Sequence, residues 1–343
     1  MTRSGLSVVA GMDPRLPLAE VGAYAGRVEA LGFDALHVPE TVNDSLVVAA
    51  LALEHTSTLV VRTSVTVAFV RSPMQLALTA WSLAALAPGR FALGLGSQIR
   101  ANIEQRHGMI WSEPVAHMAE VITAIGACFD AFASGGPLDH RGSRYRLTRL
   151  QAEFRPDPLP CSPPEIWLGA VNAGMSELAG RMADGVISHP TNSVRSHLDD
   201  VMVPSIARGA ATAGRSVPPL IVAPPVVTGP DPASVASNRA ARLDRLATVL
   251  STPAYEPTLA RIGHREVAQD LRRAIREGRT DLATLVPDAV VDQLAVVAVH
   301  DDLAALLHDR YGEVADGVLL RPPDDAAQDH AFADVVAALR ERT

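Results

Sequence analysis

Phe91-Ala92-Leu93-Gly94-Leu95-Gly96-Ser97-Gln98 is the stretch on which the fold turns. The run Phe91–Leu95 is unbroken by any charge and follows the turn signal Pro88-Gly89, which predicts a strand buried on both faces. Strands of that kind belong to parallel sheets flanked by helices. The sequence before this strand supplies those helices. Pro73–Leu86 predicts a helix with proline at its first position, and Val60–Val67 a β-branched strand. Ser45–His55 predicts an apolar helix, Ala35–Val38 a strand, Ala19–Leu31 a helix stopped at Gly32, and Leu6–Ala10 the first strand. Four strand–helix units within about 95 residues predict a parallel sheet.

Beyond residue 164 the alternation resumes, with strands at Ile166–Gly169, Gly185–Ser188, Leu220–Val227 and Gly317–Leu320 and a helix at Ser176–Ala183. Eight strands alternating with helices predict an α/β protein built as a closed (β/α)8 TIM barrel. On this pattern an open Rossmann-like sheet of seven or eight strands stays as the alternative. Two stretches exceed ordinary loops and read as insertions after strands 4 and 7. Residues 100–164 hold a helix at Val115–Phe132 and a turn-rich piece, His140-Arg141-Gly142-Ser143-Arg144-Tyr145, predicted as a hairpin or lid. Residues 230–312 read as mostly helical, broken at Gly278-Arg279 and Pro287. With no internal repeat or low-complexity linker, residues 1–343 are expected to form one domain whose insertions decorate the barrel mouth.

Composition narrows the function. Apolar residues make up 48% of the 343 residues and aromatics only 4%, so Ala, Val and Leu must fill the core. A net charge of −8 argues against nucleic acid or an anionic membrane as partner. All 30 basic residues are arginine, which excludes Schiff-base chemistry on lysine. The two cysteines, Cys128 and Cys161, form no CxxC, which suits a reducing compartment. Met1-Thr2-Arg3-Ser4-Gly5 leads into about five apolar residues, too few for a signal-peptide core, and no apolar run reaches the roughly 18 residues of a membrane span. A cytoplasmic enzyme is the expectation. The 11 histidines show no ligand spacing, so no metal is expected, and no GxSxG elbow occurs.

Candidate chemistry gathers at the predicted C-terminal strand ends. Gly94 and Gly96 read either as a turn or as room for a ligand against the backbone, with Ser97 as a donor. Ile99 stands where the last glycine of GxGxxG would be, so no dinucleotide fingerprint is present. Gly169-Ala170-Val171-Asn172-Ala173-Gly174-Met175 opens a helix, and reads either as a plain loop or as an anion site. Glu40-Thr41 follows strand 2, and His107 and His189 fall on mouth loops where proton transfer is possible. His55 reads as a helix cap or a core residue. Phe69 and Trp111 suggest an apolar pocket for a small organic molecule.

Taken in order, Leu31-Gly32-Phe33-Asp34, Glu40-Thr41, Glu54-His55-Thr56-Ser57, Arg71-Ser72-Pro73-Met74 and Pro88-Gly89-Arg90-Phe91-Ala92-Leu93-Gly94-Leu95-Gly96 resemble the bacterial luciferase-like flavin and deazaflavin oxidoreductases. Arg106-His107-Gly108-Met109, Pro163-Pro164-Glu165-Ile166-Trp167-Leu168-Gly169-Ala170-Val171 and Ala183-Asp184-Gly185 extend the resemblance, which is nearest to the branch using the deazaflavin coenzyme F420. It implies a (β/α)8 barrel, commonly a homodimer, that moves a hydride between coenzyme F420 and a small organic substrate. An FMN-dependent monooxygenase using O2 is the alternative, and a cofactor-binding barrel without catalysis a third reading.

The resemblance also implies site residues. A bulge in the third strand, commonly with a non-prolyl cis peptide, falls at Ser64-Val65 and would support one face of the ring. Gly96, Ser97 and Asn102 match the cofactor-facing loop, and Gly169, Ala170, Val171, Asn172, Gly174 and Met175 the phosphate side. His189-Pro190 occupies the region where some members use a lysine. Two departures stand out: Glu40-Thr41 replaces an Asp-His pair, and Ile99 replaces the glutamate of the sugar-phosphate dehydrogenase branch. The expected catalytic set is Glu40, Thr41 and His107, with Glu40 as the first choice of general acid or base.

Overall fold

The computed structural model describes residues 5–341, so the N-terminal residues Met1–Ser4, read above as too short a leader for secretion, lie outside the described residues. The apolar runs form eight parallel strands: β1 (Ser7–Gly11), β2 (Ala35–Val38), β3 (Val60–Thr63, resuming at Thr66–Val67), β4 (Phe91–Gly96), β5 (Glu165–Ala170), β6 (Gly185–Ser188), β7 (Leu220–Val222) and β8 (Gly317–Leu320). The ladder runs β3-β2-β1-β8-β7-β6-β5-β4, and β3 also pairs with β4, which returns the order to its start. That closure is the predicted (β/α)8 barrel and leaves no free edge for the open-sheet alternative.

The helices begin and end where local chemistry dictates. In the α-helix α1 (Val21–Ala30) the chain stops before Gly32, whose φ of 81° is the left-handed geometry glycine adopts without strain. Helix α2 (Ser45–Glu54) is capped by Asp44, which accepts from the Leu46 N–H, and His55 sits at its C-terminal cap as expected. Helix α3 (Pro73–Leu86) has Ser72 accepting from the Gln75 N–H and Pro73 at its first position. Helix α4 (Pro114–Ser134) follows β4, and α5 (Ala173–Met182) follows β5.

The chain resolves into two compact units. One holds Gly11–Ile187 with Ser205–Pro218 and carries the candidate site. Its strand register aligns His37, Arg62, Ala92 and Glu165 at one level. Arg62 is buried, lies 3.5 Å over the Trp167 ring and meets His37 Nε2 at 2.8 Å. Burial pushes Arg62 down to about 10 against the pull of Glu165, so it remains a cation. Burial first, and Arg62 second, hold His37 well below the usual imidazole range, so it is neutral.

The other unit holds the described chain up to Ala10, Ser188–Pro204 and the chain from Pro219 onward. Here the predicted strand Leu220–Val227 is corrected. Pro224 and Pro225 lack the N–H that a ladder needs, so β7 ends at Val222. Val226–Gly229 instead pairs in parallel with Val296–Val299 as a separate two-stranded sheet. The insertion expected to be mostly helical therefore carries a strand, and Leu250, Leu259, Leu271, Val290 and Leu294 form its own core.

Helix α4 bears on the expectation that no apolar run spans a membrane, although His117, Glu120 and Asp130 interrupt its apolar run. It is long and apolar enough to cross a membrane, although 56% of its most apolar window is buried within the protein. Met118, Val121, Ile125, Phe129 and Phe132 pack inward while Asp130 is exposed, the pattern of a core helix in an α/β protein.

Candidate active site

The site is built around a register slip. Between paired positions Arg62↔Ala92 and Thr66↔Leu95, β3 has three residues where β4 has two. The extra residue makes a β-bulge at Ser64-Val65, and the peptide bond between those residues is cis. Thr63 repairs the interrupted ladder: its hydroxyl donates to the Gly94 carbonyl at 2.8 Å and accepts from the Gly94 N–H at 2.9 Å.

The bulge accounts for the glycines. A Cβ on Gly94 would lie 1.8 Å from the Thr63 carbonyl oxygen. A Cβ on Gly96 would lie 2.2 Å from Val65 Cγ2, and one on Gly169 would lie 2.9 Å from Val65 Cγ1. Three glycines on β4 and β5 thus make the notch into which strand 3 swells. Ser64 and Val65 are half-buried, as are Ser97 and Gly169 beside them, which leaves an uncharged platform at three strand ends.

Glu40 braces this platform from one side. Its side chain is 11% exposed, and its carboxylate accepts from the Val67 N–H at 3.1 Å, the Ser45 hydroxyl at 3.0 Å and Arg71 Nη1 at 2.9 Å. Arg71 also pairs with Asp44 at 2.8 Å, and Ser45 touches the Thr66 hydroxyl at 2.8 Å. The neighbouring Thr41 is exposed. Its carbonyl accepts from Arg106 Nη2 at 2.5 Å, which ties the loop after β2 to the loop after β4.

After β4 the chain turns through Gln98 at φ 61°, a left-handed conformation that costs a non-glycine residue energy. Local hydrogen bonds hold it there. Gln98 Oε1 accepts from the Ile99 N–H at 3.0 Å and from Asn102 Nδ2 at 3.1 Å, and Ser97 Oγ donates to the Gln98 carbonyl at 3.2 Å. Asn102 then opens a single π-turn, Asn102–Arg106, closed by half-buried His107. After β5, Ala170 and Met175 are buried, while Val171 is half-buried and Asn172 and Gly174 are exposed at the start of α5. With no acidic residue in its first turn, that helix end favours negative charge. Gln98, Thr63 and Arg71 were passed over as site residues in the sequence, because their value lies in geometry rather than in residue type.

The first insertion adds an aromatic wall beside the platform. The short turn Ala68–Val70 follows Val67 and buries Phe69. The Phe69 ring stacks on His117 of α4 at 4.0 Å and 5° and meets Trp111 edge-on at 5.7 Å. His117 Nε2 lies 2.8 Å from the Tyr145 hydroxyl. Tyr145 is brought there by the predicted hairpin, which pairs His140–Arg141 with Arg146–Leu147. Glu120 clamps that hairpin by accepting from the N–H groups of Arg144 and Tyr145 and from the Ser143 hydroxyl, all at 2.7 Å. Sequence reading missed His117, since one histidine in an apolar helix looks like core.

His189 and Pro190 fall in the other unit. Half-buried His189 stacks on Tyr255 at 4.6 Å, and its Nε2 lies 3.1 Å from the Tyr255 hydroxyl. Burial lowers this imidazole to about 4, so it is neutral at pH 7, and Pro190 is exposed. Among the described residues no group of three or more His, Cys, Asp or Glu could hold a metal ion.

A family model described as luciferase-like monooxygenase matches residues 2–317. An uncharacterised protein of Mycobacterium tuberculosis is 35% identical over 313 residues, which is 90% of this chain and 92% of the relative. The 5,10-methylenetetrahydromethanopterin reductase of Methanolobus tindarius is 27% identical over 304 residues, 86% of this chain and 88% of that one. Among solved structures, the coenzyme F420-dependent tetrahydromethanopterin reductase of Methanopyrus kandleri superposes with a TM-score of 0.79 at 19% identity, covering 97% of this chain and 98% of that one, a likeness of fold.

Proposed function

This chain belongs to the luciferase-like monooxygenase family, and we propose that it is an oxidoreductase moving a hydride between coenzyme F420 and a small organic substrate. The observation that carries the reading is the bulge at Ser64-Val65, whose side chain is seated in the notches of Gly96 and Gly169. A planar, largely uncharged ring system fits such a platform, because it needs a flat floor without projecting side chains. The dependence of the Methanopyrus kandleri reductase on coenzyme F420 supports the choice of deazaflavin over FMN.

Bound there, the deazaflavin would supply the hydride donor or acceptor at C5. Val65 and Ser64 would carry one ring face, and the Gly96-Ser97 backbone would flank its edge. The Val171–Gly174 backbone at the start of α5 would meet the phosphate side. Glu40 would act on the platform rather than on a proton, since its carboxylate already accepts hydrogen bonds from a backbone N–H, a hydroxyl and an arginine. Thr41 and His107, on loops joined through Arg106, would sit at the rim where substrate enters. The reading includes a homodimer and a small-molecule substrate, with neither nucleic acid nor membrane as partner.

Titration of the purified protein with coenzyme F420 and, separately, with FMN tests this by absorbance change and thermal shift. Saturable binding of F420 with a rise of a few degrees in Tm is expected, since binding to the folded state alone stabilises by mass action. A response to FMN and none to F420 would overturn the cofactor assignment.

A further inference from the structure

We infer that Tyr145 is the hydrogen-bond donor that selects the substrate: its hydroxyl, oriented by His117, anchors a carbonyl or alcohol oxygen on a molecule otherwise held by Trp111. This rests on the active-site reading above and adds to it the chemical class of the second ligand.

The hydrogen-bond inventory of His117 points to this role. The imidazole is buried, with one face stacked on Phe69, and only two of its atoms can make hydrogen bonds. Nε2 is engaged with the Tyr145 hydroxyl, while Nδ1 is buried without a partner. Burial first, then the nearby Arg144, lower His117 below the usual imidazole range despite Glu120, so it is neutral at pH 7 and carries one ring proton. If that proton were on Nδ1, a buried N–H would be orphaned, the costlier of the two defects. The favoured tautomer therefore carries it on Nε2 and donates to the Tyr145 oxygen. The phenolic proton is then directed away from His117, and among the described residues it has no other acceptor to serve. Burial and the charge of Glu120 hold Tyr145 above its ordinary range against Arg144, so the phenol keeps that proton at pH 7.

The surroundings define what receives it. Phe69 lies two residues past Val67, which pairs with Gly96, so the aromatic wall rises directly from the strand ends that form the platform. Trp111 and Tyr145 are half-buried, open on one side, whereas Phe69 and His117 are covered. An apolar wall with one neutral donor matches a ketone, aldehyde or alcohol. A carboxylate or phosphate would call for a cation, and Arg144 already serves Glu113 and Ser112, at 2.9 Å each.

The test uses cyclohexanone and methylenecyclohexane, which share a ring but differ by C=O against C=CH2. Binding is read from Trp111 fluorescence, with Trp111→Phe as the signal control, on the full chain with and without saturating oxidised F420. The wild type is expected to prefer the ketone about tenfold, the worth of one well-placed donor. Tyr145→Phe should abolish the preference while hydrocarbon affinity and F420 affinity stay unchanged, with Tm falling by a few degrees because the His117 Nε2–H loses its acceptor. His117→Phe, which keeps the stacking but loses the Nε2 proton, should lower the preference by a few fold. A ketone preference that survives in Tyr145→Phe, a loss of both ligands together in that variant, or no ketone preference in the wild type would each overturn the inference. If F420 fails to bind while the preference stands, the cofactor reading falls and the Tyr145 assignment does not.

Discussion

The platform at Ser64-Val65 and the wall at Phe69, Trp111, His117 and Tyr145 adjoin in the chain, yet opposite means hold them. The platform is a backbone object. Its shape comes from one extra residue in a ladder and from three glycines that leave room for it. The wall is a side-chain object, assembled by ring stacking and by one carboxylate that grips a hairpin. A backbone platform admits few substitutions and suits a ligand that does not change. A stacked wall can be repacked one ring at a time, which suits a ligand that differs from one enzyme to the next.

The largest effect expected from breaking this contrast comes from Gly96→Ala. Its Cβ must displace Val65, whose branched side chain has little rotamer freedom, so stability should fall by about 3 kcal/mol with loss of F420 binding. Urea unfolding and the absorbance titration would check this. Retained binding would show that the platform does not carry the ring.

Glu40→Gln comes next. Losing the charged partner of Arg71 and weakening the bond to the Val67 N–H should cost about 2 kcal/mol and loosen the platform. If Glu40 only braces, the pH profile of turnover should keep its shape while F420 affinity falls. Disappearance of one limb of that profile would instead restore Glu40 as the acid or base.

The smallest effect belongs to the wall. Burial raises the Glu120 carboxyl, but hydrogen bonds from Ser143, Tyr145 and Arg144 outweigh it and leave the group below the usual carboxylate range. A depressed native value means that the anion stabilises the fold above the unfolded value of about 4.5 and that this contribution fades as pH falls through the native one. Glu120→Gln should therefore flatten the decline of Tm below pH 5 and leave F420 affinity unchanged. An unchanged slope would mean that the clamp contributes little, as partly exposed charges commonly do.

Much of the platform was legible beforehand. Val60–Val67 read as a strand, Gly94, Gly96 and Gly169 stood out as small residues at strand ends, and the motif order placed a bulge at Ser64-Val65. What those glycines do was not legible, because the atoms they avoid, the Thr63 carbonyl and the Val65 methyls, come from a neighbouring strand about thirty residues or more away. The setting of Glu40 was not legible for the same reason: a carboxylate after a strand looks available until its three donors are placed around it. The wall was barely legible, since Phe69, His117 and Tyr145 share no motif and meet only once α4 and the hairpin have docked.

By itself the sequence determined the alternation of strands and helices, hence the barrel, because apolar periodicity and turn residues act within a few positions of one another. It also determined the family. Only the tertiary structure decided that Pro224-Pro225 sends Val226–Gly229 into a second sheet, that the glycine notches hold a bulge, and that His117 meets the Tyr145 hydroxyl. Those outcomes depend on which distant groups compete for the same space or the same proton, and that competition exists only between elements already packed together.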